Sequence, residues 1–174
     1  MGSNMVLTIG AILLFGTFLS SSNRLMTGNT QIASQNEYNI SALAIAQSVI
    51  DEAKTKAFDQ KTVVNPVASP ASLTAVDSLG KDGGTEAVPN PDTLTSTGYK
   101  SMTKFNDVDD YKGYNRLVNT PRAEGYKISV AVGYATEIYP DSSKNVQTFC
   151  KKMTVTVTSS CITQPIALSY AFLY

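Results

Sequence analysis

The chain has 174 residues, and 14 Lys+Arg are balanced by 14 Asp+Glu. That length fits one domain, with or without an appendage, and the balance leaves no basic footprint for nucleic acid. There is no His and there are two Cys. This excludes Ser-His-Asp and Cys-His machinery, imidazole-based zinc sites and a four-thiolate zinc site. Carboxylate, Lys or Tyr chemistry stays open, but no constellation for it is visible, and an enzyme is not expected.

The apolar residues are concentrated at the front. Residues 1–23 carry no ionisable side chain, and 5–19 are almost wholly apolar. A helix across the hydrocarbon core needs roughly 20 such residues, and 3–22 meet that length. A helix also satisfies its own backbone polar groups, as lipid demands. A cleaved signal peptide is the competing reading. It is disfavoured because the first basic side chain, Arg24, follows the apolar run, and because no small-x-small cleavage site precedes a polar start. A basic residue normally marks the cytoplasmic side of such a segment. Its absence before the run suits a processed form whose basic leader has been removed.

The helical pattern continues. No Pro occurs in 1–65 and no Gly in 29–65. Ile40, Leu43, Ile50 and Ala57 recur at helical spacing, with Ala46, Val49 and Ala53 beside them. That reads as one apolar stripe, with Asp51, Glu52, Lys54 and Lys56 on the other face. Ser34-x-x-Glu37 matches a capping box but sits inside the continuing pattern, where it is read as coincidence. A helix over 3–58 would be roughly 84 Å long at 1.5 Å per residue. The chain thus divides into a hydrophobic helix over 1–28, an amphipathic continuation over 29–60, and a β-rich head over 61–174.

The head opens with a region rich in turn residues over 61–106, including Asn65-Pro66, Ser69-Pro70, Gly83-Gly84 and Pro89-Asn90-Pro91. A structureless loop of that length is unusual. It is therefore expected to pack on the head or to hold short strands near 63–64 and 73–76. Strands are expected over 127–134, 153–158 and 166–172, with a turn at 140–145. In the second of these, Thr alternates with Met/Val. Short connections favour an antiparallel meander whose apolar face receives the amphipathic helix. The fold class is α+β.

This succession resembles a type IV pilin or pseudopilin: apolar helix, amphipathic continuation, variable loop, terminal antiparallel sheet. In that family a prepilin peptidase cuts after a Gly. The new N-terminus is usually an N-methylated Phe or Met, and a Glu at the fifth mature position neutralises a neighbour's terminus. Here the cut could follow Gly2, leaving Ser3 first, or Met1 could be the mature start. Met1-Gly2-Ser3 could also be an expression scar. Neither register places a Glu fifth; Leu7 or Met5 stands there.

The resemblance implies a subunit held in the inner membrane before assembly and processed by the peptidase. Assembly machinery then builds it into a helical homopolymer at the cell surface. Self-assembly would bury Val6, Leu7, Ile9, Ile12, Leu13, Leu14, Phe15, Phe18 and Leu19. Gly16, Ser20, Ser21, Ser22 and Asn23 stack weak helix formers, and the helix is expected to be interrupted there in the assembled state. The alternative is a monomeric, membrane-anchored extracytoplasmic domain that binds a ligand or partner. The choice rests on the amphipathic extension, which a tether does not need and a filament core does.

Other chemistry is sparse, and no cofactor is required. Asp107, Asp109 and Asp110 cluster in a loop, where carboxylates and backbone carbonyls can hold Ca²⁺. The EF-hand pattern is absent, so a solvated acidic turn is the preferred reading. Gly80-Lys81-Asp82-Gly83-Gly84 lacks the P-loop pattern, and the Asn39-Ile40-Ser41 sequon falls on helix. Buried sheet positions are the expected fate of the Tyr residues. Cys150 and Cys161 flank the best strand. Ten extended steps cover about 33 Å, too far for a disulfide, whose Cα atoms sit about 4.4–6.8 Å apart. The thiols are then free, or bonded between molecules, or that strand is wrong.

Overall fold

A computed structural model describes residues 2–174, apart from the Ser3 side chain. The reading of Met1 as a mature start lies outside the described residues. The chain divides into two compact units, one ending at Tyr38 and the other comprising Asn39–Tyr174.

The first unit is helix alone. It belongs to α1, Gly2–Ala53. Its hydroxyls turn back onto their own helix. Thr8 Oγ1 donates to Asn4 O at 2.5 Å, Thr17 Oγ1 to Leu14 O at 2.9 Å, and Thr27 and Thr30 to the carbonyls four residues back. Such bonds satisfy a hydroxyl without water. Ser34 does the same toward Thr30 O at 3.1 Å, so the capping-box match is indeed internal to a helix.

The second unit holds the end of α1 and a five-stranded sheet of order β1-β2-β3-β4-β5. The strands are β1 Asp92–Thr93, β2 Asn115–Val118, β3 Tyr126–Tyr134, β4 Cys150–Thr158 and β5 Ile166–Leu173, with a short helix α2, Ser101–Lys104, between β1 and β2. β1 runs parallel to β2, and every other pairing is antiparallel. The expected meander is therefore β3-β4-β5, and the α+β class stands. β2 and β1 extend it on one side. Gly113 (φ +72°) and Gly125 (φ +77°) turn the chain just ahead of β2 and β3 in a backbone region that side chains disfavour.

Period-two alternation builds the core. In β3, Tyr126, Ile128, Val130, Val132 and Tyr134 are buried. In β4, Met153, Val155 and Val157 are buried, while Thr154 and Thr156 face outward. The register aligns Val130 with Val155 and Val155 with Leu168, giving apolar rows across three strands. Fully burying side chains of this size contributes roughly 1.5–3 kcal/mol each. Phe105, Tyr111 and Tyr114 form a mutual edge-to-face cluster, with centroids 4.8–5.8 Å apart. Tyr139, Tyr170 and Tyr174 are exposed, so the expectation of buried Tyr holds for only some of them.

Further expectations change. The helix ends at Ala53, short of residue 58, where Thr55 N and Lys56 N turn back to the carbonyls of Glu52 and Ala53. Of the expected stripe, Ala46, Val49, Ile50 and Ala53 are buried, joined by Ala42, whereas Ile40 is 68% and Leu43 46% exposed. The buried stripe is thus rotated toward the small residues, because alanines let the helix approach closely. The 61–106 region holds no strand at 63–64 or 73–76. It forms 3-10 turns at Gln60–Thr62, Pro70–Ser72, Val76–Ser78 and Gly84–Glu86, fixed in part by Asp59 and Pro70. It does pack on the head, burying Leu73 and Leu79. The turn expected at 140–145 is present, with Ser142 N donating to Tyr139 O at 2.9 Å, inside a longer connection closed by the Ala135–Ser143 bridge.

Candidate functional site

In the first unit the exposed apolar surface is the main feature. Met5, Val6, Leu7, Ile9, Ile12, Leu13, Leu14, Phe15, Phe18 and Leu19 are each at least 51% exposed and point to every side of the helix. The helix is long and apolar enough to cross a membrane, and none of its most apolar stretch is buried. All nine residues expected to mediate self-assembly belong to this surface. Gly16, Ser20, Ser21, Ser22 and Asn23 lie within the continuous α1 of the single chain. The expected interruption concerns packed subunits.

In the second unit two polar networks are internal. Asp107, Asp109 and Asp110 are not a solvated turn; they are 2%, 0% and 1% exposed. Asp109 and Asp110 lie in the 3-10 turn Asp109–Tyr111, and Asp107 stands just ahead of its N-cap, Val108. Asp110 Oδ2 accepts from the backbone N–H groups of Asn106 (2.9 Å) and Asp107 (3.3 Å), and Asp107 Oδ1 accepts from Asp110 N (3.2 Å). Asp109 Oδ1 accepts from Lys151 Nζ at 2.6 Å. The cluster is thus organised around its own backbone and a lysine. Among the described residues no group of three or more His, Cys, Asp or Glu is arranged to hold a metal ion.

Lys151 is the centre of this cluster. β4 alternation turns it to the same face as Met153, between Tyr134 and Phe172 on the neighbouring strands. Its Nζ donates to Asp59 Oδ2 at 2.8 Å and to Phe58 O at 2.9 Å, as well as to Asp109. The ammonium lies 4.8 Å from the Phe58 ring centroid and 5.3 Å from that of Tyr134. Lys151, Asp59 and Asp109 are all fully buried.

The carboxylates respond differently to this site. Burial raises Asp59, but the bond and charge of Lys151, with Lys61 N and Thr74, outweigh it and hold Asp59 below the ordinary range. Burial holds Asp109 above that range against the pull of Lys151. Burial, with Asp109 and Asp110 adding like charge, pushes Asp107 up to about 9. Burial likewise carries Asp110 to about 6.

A second network surrounds Glu52. The sequence pattern places Glu52 on the solvent face beside Asp51. Asp51 does pair outward with Lys54 at 2.9 Å, but Glu52 turns inward. It accepts from Arg116, Ser101 Oγ (2.7 Å) and Tyr111 OH (2.8 Å). Arg116 also donates to Tyr114 OH, which donates to Asp92. The sequence alone does not single out Asp59, Glu52, Arg116 or Lys151 as a site. A signal for Lys151 is present, since it extends the Met153-x-Val155-x-Val157 alternation inward. Asp59 shows only a local cap signal, Asp59-x-x-Thr62, because its partners in the site, Thr74, Tyr134 and Lys151, lie 15 to 92 residues away.

Cys150 and Cys161 are not joined in a disulfide. β4 is intact between them, as the distance argument requires.

Comparison with family models, curated proteins and solved structures finds no match to the chain. The layout itself, a long apolar N-terminal helix followed by a mixed sheet, is compatible with that of a pilin.

Proposed function

We propose that this chain is a structural subunit that polymerises through its N-terminal helix into an extracellular type IV pilus-like filament or a secretion pseudopilus. The observation that carries the proposal is the all-round exposure of the apolar residues between Met5 and Leu19. A helix that is apolar on every side needs lipid or other helices around it. The inner membrane serves before assembly, after processing by a prepilin peptidase, and copies of the chain serve afterwards. Lipid is already apolar, so transfer into the filament gains little from the hydrophobic effect. Close packing between helices supplies the difference.

A monomeric membrane-anchored binding domain would use the same span. It would not need α1 to run on as a helix to Ala53 with a buried face of its own.

Leu13→Lys separates the two readings. Its charge lies mid-span, where a desolvated ammonium is costly. The filament reading expects filaments to be lost while urea unfolding of Asn39–Tyr174 is unchanged. Filament yield equal to wild type would refute it.

A further inference from the structure

Lys151, Asp59 and Asp109 form a triad that neither the membrane nor the filament reading uses. We propose that Lys151 and Asp109 condense into an intramolecular amide, with Asp59 as the proton carrier. Nζ lies 2.6 Å from Asp109 Oδ1 and 2.8 Å from Asp59 Oδ2, and all three side chains are fully buried. Holding two reacting groups at contact removes most of the entropic part of the barrier.

The two carboxyls differ in their surroundings, and the difference assigns their roles. Asp59 is saturated with donors. Oδ1 accepts from Lys61 N (2.9 Å) and Thr74 Oγ1 (2.9 Å), the Thr74 N–H is shared between Oδ1 (3.2 Å) and Oδ2 (3.1 Å), and Oδ2 accepts from Lys151 beside Tyr134 OH, whose proton goes to Thr74 O at 2.7 Å. That environment favours the ionised form, which suits a base. Asp109 Oδ2 is buried with no hydrogen-bond partner. An orphaned oxygen favours the neutral acid, the form an amine can attack. Their pKa directions agree: Asp59 is held low and Asp109 high. Divergent neighbours of this kind separate base from acid.

The chemistry balances without a co-reactant. The Lys151 ammonium passes one proton to the Asp59 carboxylate. The free amine attacks Cγ of the neutral Asp109 carboxyl, forming the C–N bond of a tetrahedral intermediate. Asp59 returns its proton to one hydroxyl, which leaves as water, and accepts a proton from the nitrogen. The products are the amide, one water and a neutral Asp59. A buried ion pair is thereby replaced by neutral groups, which removes the desolvation cost of the charges. The Phe58 and Tyr134 rings beside Nζ keep the site dry, which opposes hydrolysis.

The test is the intact mass of the purified full chain in denaturant. The expected value is one water below that of the sequence. Tryptic mapping should then yield a branched peptide joining Lys151 to Asp109. Lys151→Arg and Asp59→Asn chains should have the full mass. Full mass in the wild-type chain would overturn the proposal. So would a lost water mapped elsewhere, for example to a cyclic imide at Asp82-Gly83, with Lys151 and Asp109 in separate unmodified peptides. Neither wild-type result depends on how well a variant folds.

Discussion

Asp107 shows how a single residue can work against stability at neutral pH. Burial, with Asp109 and Asp110 alongside, pushes its pKa up to about 9, and Lys151 only partly offsets this. Below about pH 4 the folded and unfolded chains both carry its proton. Above that, the unfolded chain ionises first, so the folded state binds more protons and loses stability as pH rises. The loss continues until the folded group itself ionises near pH 9. Asp107→Asn keeps an acceptor for Asp110 N and removes the titration. It should raise urea-measured stability at pH 8 by more than about 1 kcal/mol, since a tenfold difference in acidity between the folded and unfolded chains corresponds to about 1.4 kcal/mol. The gain should shrink toward pH 5. A gain that is constant with pH would contradict the assignment.

At the scale of elements, the second part of α1 and strands β3 and β4 are legible in the sequence because each follows a regular period that one buried face enforces, while the first part of α1 and β5 are legible as largely apolar runs. The face of the helix is legible only approximately. Bulky Ile40 and Leu43 draw the stripe toward themselves, but burial follows the alanines, whose small side chains permit a close approach. β2 and β1 escape a sequence reading because strands of 4 and 2 residues are too short to show a period. The acidic loop misleads because carboxylates are normally solvated, and only the distant Lys151 and backbone donors make their burial tolerable.

The corrected face can be checked directly. Ala46→Leu should overpack and cost about 1–3 kcal/mol. Ile40→Ala should change stability by less than about 0.5 kcal/mol, as exposed sites do. Chemical denaturation of both variants reads the difference, and a larger loss for Ile40→Ala would reverse the assignment.

A second expectation at this scale concerns α1 in the assembled state. Gly16 and the run Ser20-Ser21-Ser22-Asn23 are weak helix formers. Lipid enforces helix there because unpaired backbone groups have no water. Neighbouring subunits can instead supply hydrogen-bond partners, so the helix should open between 16 and 23 in a filament. A filament structure with unbroken i to i−4 bonds from Leu14 through Ile32 would contradict this.

At the scale of the whole molecule, the proposed function gives assembly to one unit and a densely cross-bonded fold to the other. The unit ending at Tyr38 exposes its apolar surface, whereas Asn39–Tyr174 has its own buried core. A polymer needs both properties: a surface that is unsatisfied alone and a domain that stays folded. Negative-stain microscopy of the wild-type chain after removal of detergent tests this most directly. A polymerising subunit should give long, uniform filaments from the wild-type chain and none from Leu13→Lys. Wild-type chain that remains monomeric in vesicles, or that forms only irregular aggregates, would contradict it.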